Sequence, residues 1–334
     1  LWKIQNNEKY VLPIDQEIHA AYTTFSSSIW KIDYQLGLRY EYLFRNVDAG
    51  SEMASAKIQV STFYPSFHAS YNLPKDQQLQ LSFSRKTERP QDWMLNPYPN
   101  YSDGLFRSVG NAKLKPESIF AYELGYLKNL KKSFISVTAF YRATYDLISQ
   151  KLVLLSSGEM LQTFDNYNKQ YSYGIESMLN LTMNKWLRIN ATGSYFHYSI
   201  KTDFVENTSV DNNTESYYVR LVPTFTLPKG TIIQFTNNYN GPGYFAQFKT
   251  FARYTADIAI KHDFLKKKLS VTLRGSDIFA TGKFKIEVND KAYSVKQSIL
   301  GEQQMLTLSL SYKINNFTRN MRQGENVQFE GSGM

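Results

Sequence analysis

The strongest constraint on the fold of this chain is a set of runs in which polar and apolar residues alternate. Between residues 306 and 312, leucine or tyrosine occupies the even positions, and serine or threonine occupies the odd ones. Because successive side chains of a β-strand point to opposite faces, each run predicts a strand with one apolar and one polar face. The same pattern recurs at 135–142 and 269–274. The turns between runs are alternately short and long, which is typical of a transmembrane β-barrel.

Composition agrees with a membrane barrel and excludes several other classes. The mean hydropathy is −0.42, and no stretch approaches the roughly 20 apolar residues of a membrane helix. Aromatic residues make up 15% of the chain, as the interfacial belts of barrels require, although an aromatic-rich soluble β-sandwich remains an alternative. The chain has no cysteine, which excludes disulfides and thiolate metal sites. The net charge of +9 is scattered along strands and turns, so nucleic acid is not a predicted partner.

The alternation predicts about 13 membrane strands and one hairpin that projects beyond the membrane within residues 280–303. The predicted strands are 16–25, 29–44, 63–73, 78–83, 118–128, 134–148, 171–183, 186–199, 217–227, 231–239, 251–262, 269–278 and 304–314. Short turns are predicted at 26–28, 74–76, 129–132, 184–185, 228–230 and 264–268. The long connections are 47–62, 85–117, 149–168, 201–216 and 280–303, and a modest loop spans 240–247.

Loop length predicts the orientation, because short turns of such barrels lie in the periplasm and long loops outside the cell. Five of the six short turns carry a lysine, namely Lys75, Lys131, Lys185, Lys229 and Lys267. Trp30 and Trp186 adjoin short turns and suit the periplasmic aromatic girdle.

The odd number of strands carries a second expectation. Bacterial single-chain barrels have an even number of strands with both ends in the periplasm. We therefore expect Leu1 to lie outside the cell, with further strands preceding it. The expected organisation is a C-terminal barrel portion over residues 1–314 and a polar, disordered periplasmic tail over 315–334.

Ordered motifs resemble a known family. They are Gly37-Leu38-Arg39-Tyr40-Glu41, Arg89-Pro90, Leu95-Asn96-Pro97-Tyr98, Tyr101-Ser102-Asp103, Gly110-Asn111, Pro116-Glu117, Glu123-Leu124-Gly125-Tyr126 and Ser276-Asp277-Ile278-Phe279. In this order they resemble the C-terminal barrel of TonB-dependent receptors, in the branch described as an outer-membrane β-barrel family. The resemblance covers nearly the whole chain.

The resemblance implies a bacterial outer-membrane receptor that takes up a nutrient or chelate, without a cofactor and without enzymatic activity. Complete transporters of this kind have about 22 strands, so roughly nine strands and a plug domain would lie upstream. The implied partners are outer-membrane lipids and lipopolysaccharide, the TonB complex through that plug, and a surface lipoprotein. One alternative is a non-transporting barrel that serves as a structural subunit of a secretion or surface complex. Another is an outer-membrane hydrolase or a soluble β-rich carbohydrate enzyme.

The longest connection, Arg85–Glu117, holds the candidate ligand site. Prolines stiffen it, glycines permit tight turns, and aromatic residues give it apolar mass. A loop of this length is either functional or packed on the fold, so it predicts a ligand-contacting or constriction loop, or one folded onto the barrel rim. The candidate ligand residues are Arg89, Trp93, Asn96, Tyr98, Tyr101, Asp103 and Asn111.

Catalytic and metal-binding patterns are poor. The four histidines, His19, His68, His197 and His262, fall in different predicted strands without metal-ligand spacing. Nucleophile-elbow, phosphate-loop and dinucleotide motifs do not occur. Residues 211–215 are rich in oxygen ligands but lack the glycine and distal glutamate of a calcium loop, so a solvated loop is the preferred interpretation.

Overall fold

The computed structural model describes residues 11–50, 55–101, 105–202, 210–245, 248–289, 293–301 and 304–314. The strands before the central region are β1 (Ile14–Ile29), β2 (Ile32–Val47), β3 (Ala56–Leu73), β4 (Gln77–Glu88), β5 (Asn100–Tyr101), β6 (Phe106–Ser108), β7 (Glu117–Leu130), β8 (Ser133–Leu154) and β9 (Met160–Thr182). The later strands are β10 (Leu187–Thr202), β11 (Val210–Thr226), β12 (Ile232–Asn240), β13 (Gly243–Phe245), β14 (Phe248–Thr250), β15 (Arg253–Phe264), β16 (Leu269–Gly275), β17 (Phe284–Asn289), β18 (Ser294–Ile299) and β19 (Leu306–Tyr312). Within these described ranges, the helical elements are one α-helix, α1 (Asp92–Leu95), and 3-10 turns at Pro228–Gly230 and Leu265–Lys267. In the part of the chain that the structure describes, no helix has the length and apolar character needed to cross a membrane.

Thirteen strands form one sheet in the order β1-β2-β3-β4-β7-β8-β9-β10-β11-β12-β15-β16-β19. Every neighbouring pair in this path is antiparallel, so the chain runs up and down like a meander. The predicted count of about 13 strands and the all-β class are therefore confirmed. The short β6 adds to β9 in parallel, outside the main path.

The register keeps apolar side chains on one face of the sheet and polar side chains on the other. Between β16 and β19, Val271 lies opposite Leu310 and Leu273 opposite Leu308, while Thr272 lies opposite Ser309 on the other face. Leu308 and Leu310 are 62% and 67% exposed. Such an exposed apolar face is the one that a barrel presents to lipid.

Tyrosines of the apolar face form a belt toward the long-loop end of the sheet. Tyr122 lies opposite Tyr141, Tyr195 opposite Tyr217, and Tyr239 opposite Tyr254. The rings of Tyr217 and Tyr239 stack with their centroids 5.4 Å apart. Amphipathic rings at one level of a sheet mark the membrane–water interface.

The sheet is open in the described residues. β1 pairs with β2 and β19 pairs with β16, and the two strands lie at opposite ends of the path. The described residues therefore do not close a barrel, which agrees with the expectation of a barrel portion. An unpaired edge in lipid leaves backbone groups unsatisfied at several kcal/mol each, so each edge would need a hydrogen-bonding partner in the membrane.

Several predicted boundaries are wrong. The first short turn is Trp30-Lys31, with Trp30 at φ 58°, and the predicted turn 26–28 lies inside β1. Within β1, Ser28 lies opposite Asp33 of β2, and its Oγ donates a hydrogen bond to Asp33 Oδ1 over 2.5 Å. β16 ends at Gly275 rather than at 278 because Asp277 adopts a φ of 44° and its N–H bonds Asp257.

Two predicted long loops are largely strand. β8 and β9 extend through 149–168 and leave only a connection at 155–159, and β3 already begins at Ala56. Residues 211–215, interpreted as a solvated loop, belong to β11. Outside the membrane both faces of a strand are polar, so the alternation that identifies a strand disappears from the sequence.

A second sheet of four strands has the order β13-β14-β17-β18. β17 and β18 are the projecting hairpin that the sequence predicts. The sequence does not predict that the loop at 240–250 supplies β13 and β14 to it. The tail 315–334 lies outside the described residues.

Candidate functional site at the long-loop end

The connection after β4 is folded onto the ends of β2 and β9. Leu95 of α1, Ala112 and Leu114 form an apolar cluster with Val47 and Phe164. Leu95, Leu114 and Val47 are at most 1% exposed. The connection therefore has a small core of its own, anchored on the barrel wall.

Gly110 lets two parts of this connection approach closely. Its N–H donates to the carbonyl of Asn96 over 2.7 Å, and the N–H of Asn111 donates to the carbonyl of Met94 over 2.7 Å. A Cβ at position 110 would lie 2.6 Å from each of those carbonyl oxygens. Only glycine fits at such a crossing of backbones.

Three candidate ligand residues hold the connection together. The Asn96 side chain accepts the N–H of Tyr98 over 3.0 Å, and the Tyr98 hydroxyl donates to the carbonyl of Ala49 over 3.2 Å. The Asn111 amide donates to the carbonyl of Phe164 over 3.0 Å. These polar groups are directed at the chain's own backbone.

Two candidates are open to solvent and one lies outside the described residues. Trp93 is 57% exposed and meets Phe164 edge to face, with the centroids 5.0 Å apart. Tyr101 is 49% exposed, opposite Arg107 in the β5–β6 pair. Asp103 falls outside the described residues.

Arg89 joins an ion-pair cluster around a buried carboxylate, which the sequence motifs do not reveal as a unit. Its guanidinium contacts the carboxylate of Glu41, which also accepts hydrogen bonds from Arg39 over 2.6 and 3.0 Å. Glu41 is 6% exposed. The pairing links the start of the connection to the polar face of β2.

Arg45 is fully buried beneath the connection. One of its terminal nitrogens donates to the carbonyl of Leu114, and Nε and Nη1 have no hydrogen-bond partner in the described residues. Alternation alone could not reveal this residue, because an arginine on the polar face of a strand is expected to meet water.

Glu117 begins β7 at the base of the connection. It lies 13 residues from the short turn, beyond the roughly 9–11 residues that a membrane strand needs. Its carboxylate accepts the N–H of Ile148 over 2.6 Å. Burial raises the pKa of Glu117 to about 7, and the nearby charge of Glu88 contributes to this increase.

The second sheet packs on the extended β8–β9 hairpin. Phe248 and Val288 form a buried cluster with Leu152 of β8. The Tyr293 hydroxyl donates to the carbonyl of Leu152 over 2.6 Å, and the Tyr198 hydroxyl donates to that of Tyr244. The loops from distant parts of the sequence thus form one folded layer.

The polar face of the sheet carries charges below this layer. Arg142 lies 3.5 Å from Glu123 and 3.3 Å from Glu176, and its guanidinium is 4.3 Å from the ring of Phe140. A cleft of about 340 Å³ opens there between the wall and β13, and a larger one of about 650 Å³ lies nearer the short turns. The described residues hold no cluster of three potential metal ligands.

Comparison with known proteins places these features in a family context. The model of the outer membrane protein beta-barrel family matches residues 2–312. No curated protein sequence matches the chain.

Solved structures share the fold at low sequence identity. The siderophore receptor PirA from Pseudomonas aeruginosa is 15% identical with a TM-score of 0.55, over 86% of this chain and 57% of that one. The copper transporter OprC is 12% identical with a TM-score of 0.66, over 89% and 47%. The ferric yersiniabactin uptake receptor FyuA from Yersinia pestis is 16% identical with a TM-score of 0.60, over 89% and 45%. The chain therefore spans about half the length of these structures.

Proposed function

Because the chain belongs to the outer membrane protein beta-barrel family of the bacterial outer membrane, we propose that it forms part of the wall of a plugged receptor. The proposed activity is uptake of a nutrient or chelate across the outer membrane. The motor would be the TonB complex, which would act on a plug supplied by another part of the protein.

The observation that carries this proposal is the open sheet of thirteen strands with a charged polar face. Its two edges require additional strands, so the barrel that contains it is wider than this sheet alone. Barrels of about 22 strands have a lumen wide enough to hold a plug. The similar structures include a siderophore receptor, a ferric yersiniabactin uptake receptor and a copper transporter, and this chain spans about half the length of each, which supports the same interpretation.

The folded layer at the long-loop end supplies the ligand-contacting surface in this proposal. Trp93 and Tyr101 present exposed aromatic rings there. Asn96, Tyr98 and Asn111 keep the connection in shape through their hydrogen bonds to backbone groups. Trp93 and Tyr101 would therefore contact the ligand, whereas the other three residues would hold the connection in position.

Uptake in cells that carry or lack the complete gene tests the proposal. Radiolabelled ferric enterobactin and copper serve as probes, because similar solved structures include a ferric enterobactin receptor from Pseudomonas aeruginosa and the copper transporter OprC. We expect the complete protein to accelerate uptake of one probe, and we expect an uncoupler of the proton gradient to abolish the gain. Trp93→Ala with Tyr101→Ala should reduce the gain several-fold.

Trp30→Ala is the matched control, since this exposed tryptophan lies at the opposite end of the sheet. It should leave uptake unchanged. A correctly inserted protein that accelerates uptake of neither probe and is isolated in a stable complex with another surface protein would contradict the proposal. That result would support the non-transporting structural barrel instead.

A further inference from the structure

The six short turns carry almost all of the net charge of the chain. Every turn between strands at this end contains a lysine, including the first, Trp30-Lys31. The nine lysines are Lys31, Lys75, Lys131, Lys132, Lys185, Lys229, Lys266, Lys267 and Lys268. Asp76 is the single acidic residue of these turns, which gives them a charge of +8 in a chain of charge +9.

These lysines are available to an external partner. All nine are exposed. Among the described residues, the ion pairs shorter than 4.0 Å involve other cations, such as Lys261 with Asp263 and Lys296 with Glu287. An exposed ammonium group outside such ion pairs keeps its capacity to bind an anion.

Apolar side chains accompany the lysines in the same turns. Trp30 is fully exposed, Trp186 is 51% exposed, and Leu265 is 62% exposed. Met183, in the same turn as Trp186, is 61% exposed, and Leu227 in one further turn is 40% exposed. An exposed tryptophan or leucine beside a lysine is the arrangement that inserts into lipid while the ammonium group reaches the head groups.

The lysines are distributed along the whole rim. Successive short turns are two strands apart, which corresponds to about 10 Å in a sheet. A folded protein partner would select one patch of such a rim, whereas a lipid leaflet meets all six turns at once. Basic residues attract anionic lipid surfaces, and ammonium groups form charge-assisted hydrogen bonds with phosphate.

We propose that the six short turns form a cationic collar that binds the phosphate head groups of anionic phospholipids, such as phosphatidylglycerol, in the adjacent leaflet. The apolar side chains of the turns enter the acyl region, and the lysines bind the phosphates. This role concerns insertion in the membrane, and it stands whether or not the barrel transports.

Quenching of tryptophan fluorescence tests the collar. The complete protein would be placed in phosphatidylcholine vesicles that contain a minor fraction of brominated phosphatidylglycerol or, separately, of brominated phosphatidylcholine. One variant keeps Trp30 and Trp186 as its emitters within this chain, with the other tryptophans replaced by phenylalanine. We expect stronger quenching by brominated phosphatidylglycerol, and we expect high salt to remove the difference.

A matched pair of double variants locates the effect. K131Q/K132Q removes two adjacent collar lysines, and K113Q/K115Q removes two exposed lysines of the long connection after β4. The first should lower the preference for phosphatidylglycerol at least several-fold, since a basic residue near an anionic surface contributes roughly fivefold. The second should leave it unchanged.

Equal quenching by both brominated lipids in the protein that retains all its lysines would overturn the proposal, whatever the double variants do. An equal loss of the preference for phosphatidylglycerol in both double variants would also overturn it, because that result would indicate attraction by the total charge of the protein rather than by the short turns. A preference for lipopolysaccharide, with the turns labelled from outside the cell, would overturn the assignment of the leaflet.

Discussion

At the scale of single residues, the clearest consequence of burial is the carboxyl group of Glu117. Its pKa rises from 4.5 to about 7, chiefly because the charged form loses its hydration. The folded state therefore binds the proton more tightly than the unfolded state does. Stability from this group is fully present below about pH 4.5 and declines as the pH rises toward 7.

The upward shift of the Glu117 pKa predicts how the stability of the connection Arg85–Glu117 responds to pH. The cost of ionising Glu117 in the fold is on the order of 3 kcal/mol above pH 7. Glu117→Gln keeps an acceptor for the N–H of Ile148 and removes the ionisation. We expect the variant to resist proteolysis of this connection better than the parent at about pH 8 and to equal it at about pH 4.5.

Glu88→Gln is the control for this prediction, because Glu88 contributes only the smaller, charge-dependent part of the shift. Glu88→Gln should reduce the difference in protease resistance between the two pH values without abolishing it. Equal protease resistance of the parent and Glu117→Gln at both pH values would show that the carboxyl group is hydrated.

At the scale of strands, the register of β16 and β19 separates lipid-facing from interior positions. Arginine in place of Val271 or Leu308 should cost about 2–4 kcal/mol near the membrane midplane, because the charge must enter lipid. Arginine in place of Thr272 or Ser309 should cost less, because these side chains lie on the polar face. Folding of the complete protein into bilayers, followed by denaturant titration, measures the difference.

Equal destabilisation at both sets of positions would contradict this assignment of faces. It would indicate a soluble sheet with two packed faces. β19 is the better strand for this comparison because all its residues are exposed, so differences in packing contribute little.

At the scale of the whole molecule, the long connections and the short turns lie at opposite ends of the sheet. We expect the connection after β4 to be outside the cell and Lys185 to be in the periplasm, because long loops face outward in such barrels. Epitope tags after Lys113 and at Lys185 in intact cells test the orientation. Surface labelling at Lys185 without labelling at Lys113 would invert the topology and remove the basis for uptake.

The sequence by itself determined the all-β class, the thirteen strands and the two faces of the sheet. It could do so because a lipid-facing strand must alternate at every second residue within the membrane. Beyond the membrane this requirement ends, and there the sequence failed to show the long β8–β9 hairpin, the strand character of 211–215 and the start of β3.

Only the tertiary structure decided how the candidate site is built. Arg45 and Leu114 lie 69 positions apart, and Tyr293 and Leu152 lie 141 apart, so their contacts leave no local pattern. The structure likewise shows that Asn96 accepts a backbone N–H and Asn111 donates to a backbone carbonyl, while Trp93 and Tyr101 face solvent. Packing between distant segments decides which side chains meet in the long loops. For side chains that face lipid, the surrounding lipid decides the residue type, and that requirement is visible in the sequence of each strand.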